Sequence, residues 1–120
     1  MGRRRSGTTA AQLLGWLEEL PEFEERETWG HPTFRVRGRM FGTIDAEGTR
    51  TTLKAAPEEQ QALIAHDPET YSYPAYVGKH GWVTVELARA EPAQVHELAV
   101  EAWRRTAPQR VVAAYDAAQV

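Results

Sequence analysis

Two groups of cationic side chains in this chain stand where they could hold a phosphate or an acidic partner. The first is Lys79-His80, bracketed by Gly78 and Gly81 within the run from Pro74 to Leu87. The two glycines let the backbone turn tightly or take positive φ while both side chains project from the bend. The second group is Arg35, Arg37 and Arg39 at alternating positions, followed by Arg50 and Lys54. Residues 33 to 54 set these five bases against only Asp45 and Glu47, although the whole chain carries a formal net charge of -3. A positive patch inside an acidic protein suits a selective contact with phosphate or an acidic surface, and argues against a general nucleic-acid coat. Arginines alternating with apolar residues on an ordinary exposed sheet face would read the same way.

A different arrangement of the same region is an aromatic, glycine-rich surface around His31, Tyr76, His80 and Trp82, which would suit a small molecule or a protein partner. Signatures of catalysis are missing. No G-x-x-x-x-G-K-[ST] run is present, so a phosphate-cradling P-loop is excluded, and there is no G-x-S-x-G. Ser6 and Ser72 are the only serines, and His31, His66, His80 and His96 lack the close spacing that puts two imidazoles on one metal. The chain has no cysteine, hence no disulfide and no thiolate metal site, in keeping with a reducing cytoplasm. A binding module without cofactor or metal is the expectation. An enzyme would need His31 and His80 to converge in one cleft.

The elements that must position these groups follow from periodicity and punctuation. A chain of 120 residues fits one domain, with residues 1 to 7 as a flexible basic tail carrying Arg3, Arg4 and Arg5, and residues 8 to 120 as the folded unit. Thr8 or Thr9 can cap a first helix whose stripe is Leu13, Leu14, Leu17 and Leu20, with Trp16 at the edge of that stripe as a core residue and Pro21 as its stop. Gly15 would mark a close approach to the sheet. Phe23 to Trp29, rich in glutamate, reads as an edge strand, and Gly30 and Pro32 place His31 on a loop or strand entrance.

Residues 33 to 54 read as a three-stranded antiparallel meander, with strands at Thr33 to Val36, Arg39 to Ile44 and Thr49 to Lys54. The first hairpin has two possible registers. A three-residue loop at Arg37-Gly38-Arg39 would pair Val36 with Met40 and collect Phe34, Val36, Met40 and Ile44 on the core face; a two-residue loop would set Met40 opposite Arg35. The longer loop is preferred because it keeps like side chains together. Pro57 opens a second helix ending near His66, Val83, Val85 and Leu87 form the core face of a later strand, Pro92 opens a third helix, and Gln109 to Ala117 makes a last one. No apolar run approaches the roughly 20 residues that span a bilayer, so a soluble, monomeric, cytoplasmic protein with no membrane contact is expected.

The order Trp29-Gly-His-Pro-Thr-Phe-Arg-Val36, Met40-Phe41, Leu53-Lys54, Pro57-Glu58-Glu59, Tyr76-Val-Gly-Lys-His-Gly-Trp-Val83 and Ala107-Pro108 resembles the MmcQ/YjbR family from about Thr9 to Asp116. That resemblance implies an α+β fold, a two-layer sandwich of antiparallel sheet packed against helices, similar to CyaY-like and secretion-chaperone-like domains. It also implies a DNA-binding role, because the family's strands have been likened to the double wing of a phage transcription factor. Carried onto this chain, the wing-like positions are Arg35, Arg37, Arg39 and Lys54, with Lys79 and His80 beside Trp82.

Overall fold

The computed structural model describes residues 7–119. Arg3, Arg4 and Arg5 of the expected tail lie outside the described residues. Near the start of the described residues, Thr8 is buried, donates its N–H to Leu87 O (2.8 Å) and donates its hydroxyl to Ala90 O (2.9 Å).

Helix α1 spans Ala10–Glu18, and Thr9 is its cap. The Thr9 hydroxyl accepts from Gln12 N while the Gln12 side chain accepts from Thr9 N, a reciprocal capping box that satisfies two otherwise orphaned donors. Leu13 and Leu17 are fully buried and Leu20 nearly so. Trp16 is only half-buried and stacks on His96, with ring centroids 4.8 Å apart. Gly15 is exposed with nothing near its missing side chain. The expected close approach to the sheet is therefore wrong, because Gly15 lies on the solvent side of the helix.

Six strands follow, β1 (Phe23–Thr28), β2 (His31–Val36), β3 (Arg39–Ile44), β4 (Arg50–Leu53), β5 (Tyr71–Ser72) and β6 (Val83–Glu86). They form one antiparallel sheet in the order β1-β2-β3-β4-β6-β5. Helix α2 (Pro57–His66) comes between β4 and β5, and α3 (Pro92–Arg104) and α4 (Gln109–Ala118) close the chain. Prolines open α2 and α3, where the missing N–H costs nothing. The fold is thus α+β, a sheet with helices on one face. Phe34, Val36, Phe41, Ile44, Leu53, Val83 and Val85 from the sheet meet Leu13, Leu17, Val95, Leu98, Ala99, Ala102 and Trp103 from the helices in a single core. Each of the larger side chains stabilises by about 1.5–3 kcal/mol through loss of water contact. Trp103 also donates its indole N–H to Pro21 O (3.0 Å), so α3 is fastened to the turn that leads into β1.

The first meander hairpin has the shorter loop. Val36 pairs with Arg39 and Arg35 with Met40, so the loop is Arg37-Gly38, with φ of 54° and 78°. Two successive left-handed residues make a turn whose twist matches that of the flanking strands, and this outweighs the grouping of like side chains. Met40 consequently leaves the core face. The core is recovered one residue later: Phe34 pairs with Gly42, which leaves Phe41 as the extra residue of a bulge. That bulge turns the fully buried Phe41 inward and returns Ile44 to the core. Of the stretch from Thr70 to Tyr76, only Tyr71–Ser72 is strand.

Candidate nucleic-acid interface

In an antiparallel sheet of this order, the tip of the β2–β3 hairpin, the end of β4 and the start of β6 all lie at one end. These are the segments that carry Arg37, Arg39, Lys54, Lys79 and His80. Lys54 follows β4 and Trp82 precedes β6, one step beyond the Leu53–Val83 pair, so the loop leading into β6 runs beside Lys54.

That loop is built on α2. Gln60, 3 % exposed, donates its two amide hydrogens to Gly78 O (2.8 Å) and Trp82 O (2.6 Å). One buried side chain thereby satisfies two loop carbonyls. Gly81 turns the chain at φ 95°, and a Cβ there would stand 2.8 Å from Pro57 N and 2.9 Å from Ala56 C. At Gly78 a Cβ would stand 2.5 Å from the Tyr73 ring. Gly81 is therefore required by a main-chain contact, whereas Gly78 faces the ring of a largely exposed tyrosine that could swing aside. Trp82 is buried, while Lys79 and His80 are exposed on the turn Val77–His80.

The hairpin arginines divide among different tasks. Arg35 points away from the core, and its guanidinium donates to Thr33 Oγ1 (3.1 Å) and Gly38 O (3.1 Å), bracing the hairpin tip. Arg37 forms a two-pronged ion pair with Glu22, with Nη2 to Oε2 at 3.1 Å. The Arg37 hydrogen bond, with its charge, holds the Glu22 carboxyl below its usual range, and Arg37 is raised in return. Arg39 is opposite the core residue Val36, so it lies on the other sheet face from Arg35, exposed beyond the end of the core. Arg39, Lys54 and Lys79 make no ion pair with another described residue.

His31 is at the opposite end of the sheet. It lines a concavity of about 260 Å³ with Thr43, Asp45, Arg50, Thr52 and Thr84, and topology separates it from Tyr76, His80 and Trp82. The four residues of the aromatic surface are not brought together, and His31 and His80 do not share a cleft. Arg50 in that concavity is paired with Glu86 (2.8 Å). Across the helix-free face runs a row absent from the sequence reading: Arg26, Thr33, Thr43, Thr52, Thr84 and Ser72 are cross-strand partners in turn over all six strands. Thr52 and Thr84 share a hydrogen bond of 2.8 Å. Only the register could have shown this row. Gln60 was also missed, and its one signal is a polar residue three and four positions before Leu63 and Ile64 on the inner side of α2.

Asp45 closes the β3–β4 turn. Its burial raises the carboxyl's pKa, but the Thr49 hydroxyl and the N–H groups of Arg50, Thr49 and Gly48 outweigh this and hold it below the ordinary range. A depressed folded pKa means that the stabilisation is complete above the unfolded value of about 3.9 and is lost as pH falls through the folded one. The melting-temperature gap between the parent and Asp45→Asn should accordingly be widest near neutrality and close in acid. A gap independent of pH would contradict this assignment.

Among the described residues no group of three or more His, Asp or Glu could hold a metal ion, and no helix is long and apolar enough to cross a membrane. A YjbR family model matches residues 18–105. The fold is similar to that of a solved structure, Deinococcus radiodurans protein DR2400, which carries a DUF419 domain, at a TM-score of 0.73 and 24% identity over 84% of this chain and 80% of that one. No curated protein matches the chain.

Proposed function

This chain belongs to the YjbR family, and from that premise we propose that it is a DNA-binding module that grips the phosphate backbone with the hairpin end of its sheet. The carrying observation is that Arg39, Lys54 and Lys79, distant in sequence, come to one end of the sheet without carboxylate partners among the described residues. Arg37 and His80 flank them. Arg35 supports the grip from behind by holding the hairpin tip through Gly38 O.

Arg37 adds a second argument. The first position of a left-handed two-residue turn favours asparagine, aspartate or glycine, yet here it holds an arginine at φ 54°. Strained backbone positions cluster at contact sites, and Arg37 shares this feature with Glu22, Trp29 and Tyr76. Its pairing with Glu22 leaves a surface bridge that a phosphate can replace, since exposed pairs contribute little to stability.

Contacts of this kind read phosphates with little sequence preference, so affinity is modest, about 1–100 µM, and falls with salt. Anisotropy titration of a labelled duplex at several salt concentrations should give a log–log slope of about -3 to -4, from roughly 0.9 per phosphate contact. Replacing Arg39, Lys54 and Lys79 together with alanine should flatten that slope by about 2 to 3. An unchanged slope in the triple variant, with its fold intact, would remove these residues from the interface.

A further inference from the structure

Cations at the hairpin end would hold the phosphates of a duplex or of a single strand equally well, so the aromatic side chains decide between the two. Tyr76 is 90% exposed. It sits at φ 64° and ψ -60°, and Val77 N–H donates to Ala75 O at 2.6 Å across it. This is a γ-turn in the left-handed half of backbone space, which a bulky side chain rarely occupies. Tyr73, three residues earlier, is 60% exposed, with its ring against Gly78.

The mount beneath these rings is rigid. Gln60 holds the carbonyls of Gly78 and Trp82, and Gly81 is pressed on the start of α2. Tyr76 is thus presented to solvent from a clamped loop, with Lys79 and His80 on the turn that follows, so little backbone freedom remains to be lost on binding. An open aromatic face beside cations is how proteins hold unpaired bases, because every base offers a face to stack. In a duplex those faces are hidden and only phosphates are offered. An acidic peptide would use the cations and leave the rings idle.

Resting on the DNA-binding reading above, we propose that the ligand of this surface is single-stranded nucleic acid, with a base stacked on Tyr76 and the adjoining phosphates on Lys79 and Lys54. The test compares a short labelled oligothymidylate, a duplex of the same length and an abasic strand of that length, each titrated at low salt against the parent, Tyr76→Ala and Tyr76→Phe. The oligothymidylate should bind more tightly than either comparison strand. Tyr76→Ala should weaken it on the order of tenfold, Tyr76→Phe should leave it near the parent, and duplex affinity should be the same in all three proteins. Equal affinity for single strand and duplex would overturn this inference and leave the phosphate reading standing, as would a Tyr76→Ala effect that is absent or extends to the abasic strand. No binding of any oligomer would overturn both.

Discussion

Gly81→Ala is expected to destabilise the domain by on the order of 3 kcal/mol, from about 1–2 kcal/mol for a left-handed residue with a side chain plus 1–3 kcal/mol for forced packing. The added Cβ would meet Pro57 N at 2.8 Å and Ala56 C at 2.9 Å. Those atoms are main chain at the first turn of α2, where the proline ring fixes φ, so they cannot swing aside as a flexible side chain would. The positive φ of 95° adds its cost whatever room is made. In a chain of this size the melting temperature should fall by roughly 10–15 °C. Gly15→Ala is the control: it sits on an open helix face and should gain up to about 1 kcal/mol. A Gly81→Ala protein melting near the parent would show that the loop is not clamped against α2.

The contrast between these two glycines marks what can be read from a sequence. Helix starts at Thr9, Pro57 and Pro92, the buried stripe of Val95, Leu98, Ala99, Ala102 and Trp103, the edge position of β1 and the α+β class all follow from local signals. Caps, prolines and periodicity act within a turn or two of the chain. Register does not. Arg37 gives no hint that it will accept a left-handed conformation, so the loop reads as one residue longer than it is, and Met40 takes the place that the bulge assigns to Phe41.

The site is legible to the same degree. That Gly78 and Gly81 bracket an exposed basic turn is visible at once, but a lone glycine says only that room is needed. Which neighbour needs it depends on the tertiary contact, with Tyr73 at one position and the α2 backbone at the other. The meander arginines likewise look equivalent at alternating positions. Their partners separate them into a brace at Arg35, an ion pair at Arg37 and an exposed cation at Arg39 on the opposite face.

Gln60→Leu should cost about 2–3 kcal/mol, an effect far larger than a change of similar volume in a short helix ordinarily gives. The Trp82 carbonyl would lose its side-chain donor, and Gly78 O would keep only the N–H of Gly81 at 3.0 Å. Leucine fills the space without supplying a proton, so a buried acceptor is left facing an apolar group. Urea unfolding measures the loss, and a difference under about 0.5 kcal/mol would mean that water replaces the amide without penalty. Since Gln60 and Gly81 hold the same loop, the double variant should lose less than the sum of the two single changes; sites that do not communicate would add. The same argument reaches binding. A loop released from α2 must be ordered again when Lys79 and Tyr76 engage a ligand, so Gln60→Leu should weaken affinity without removing any group that touches it.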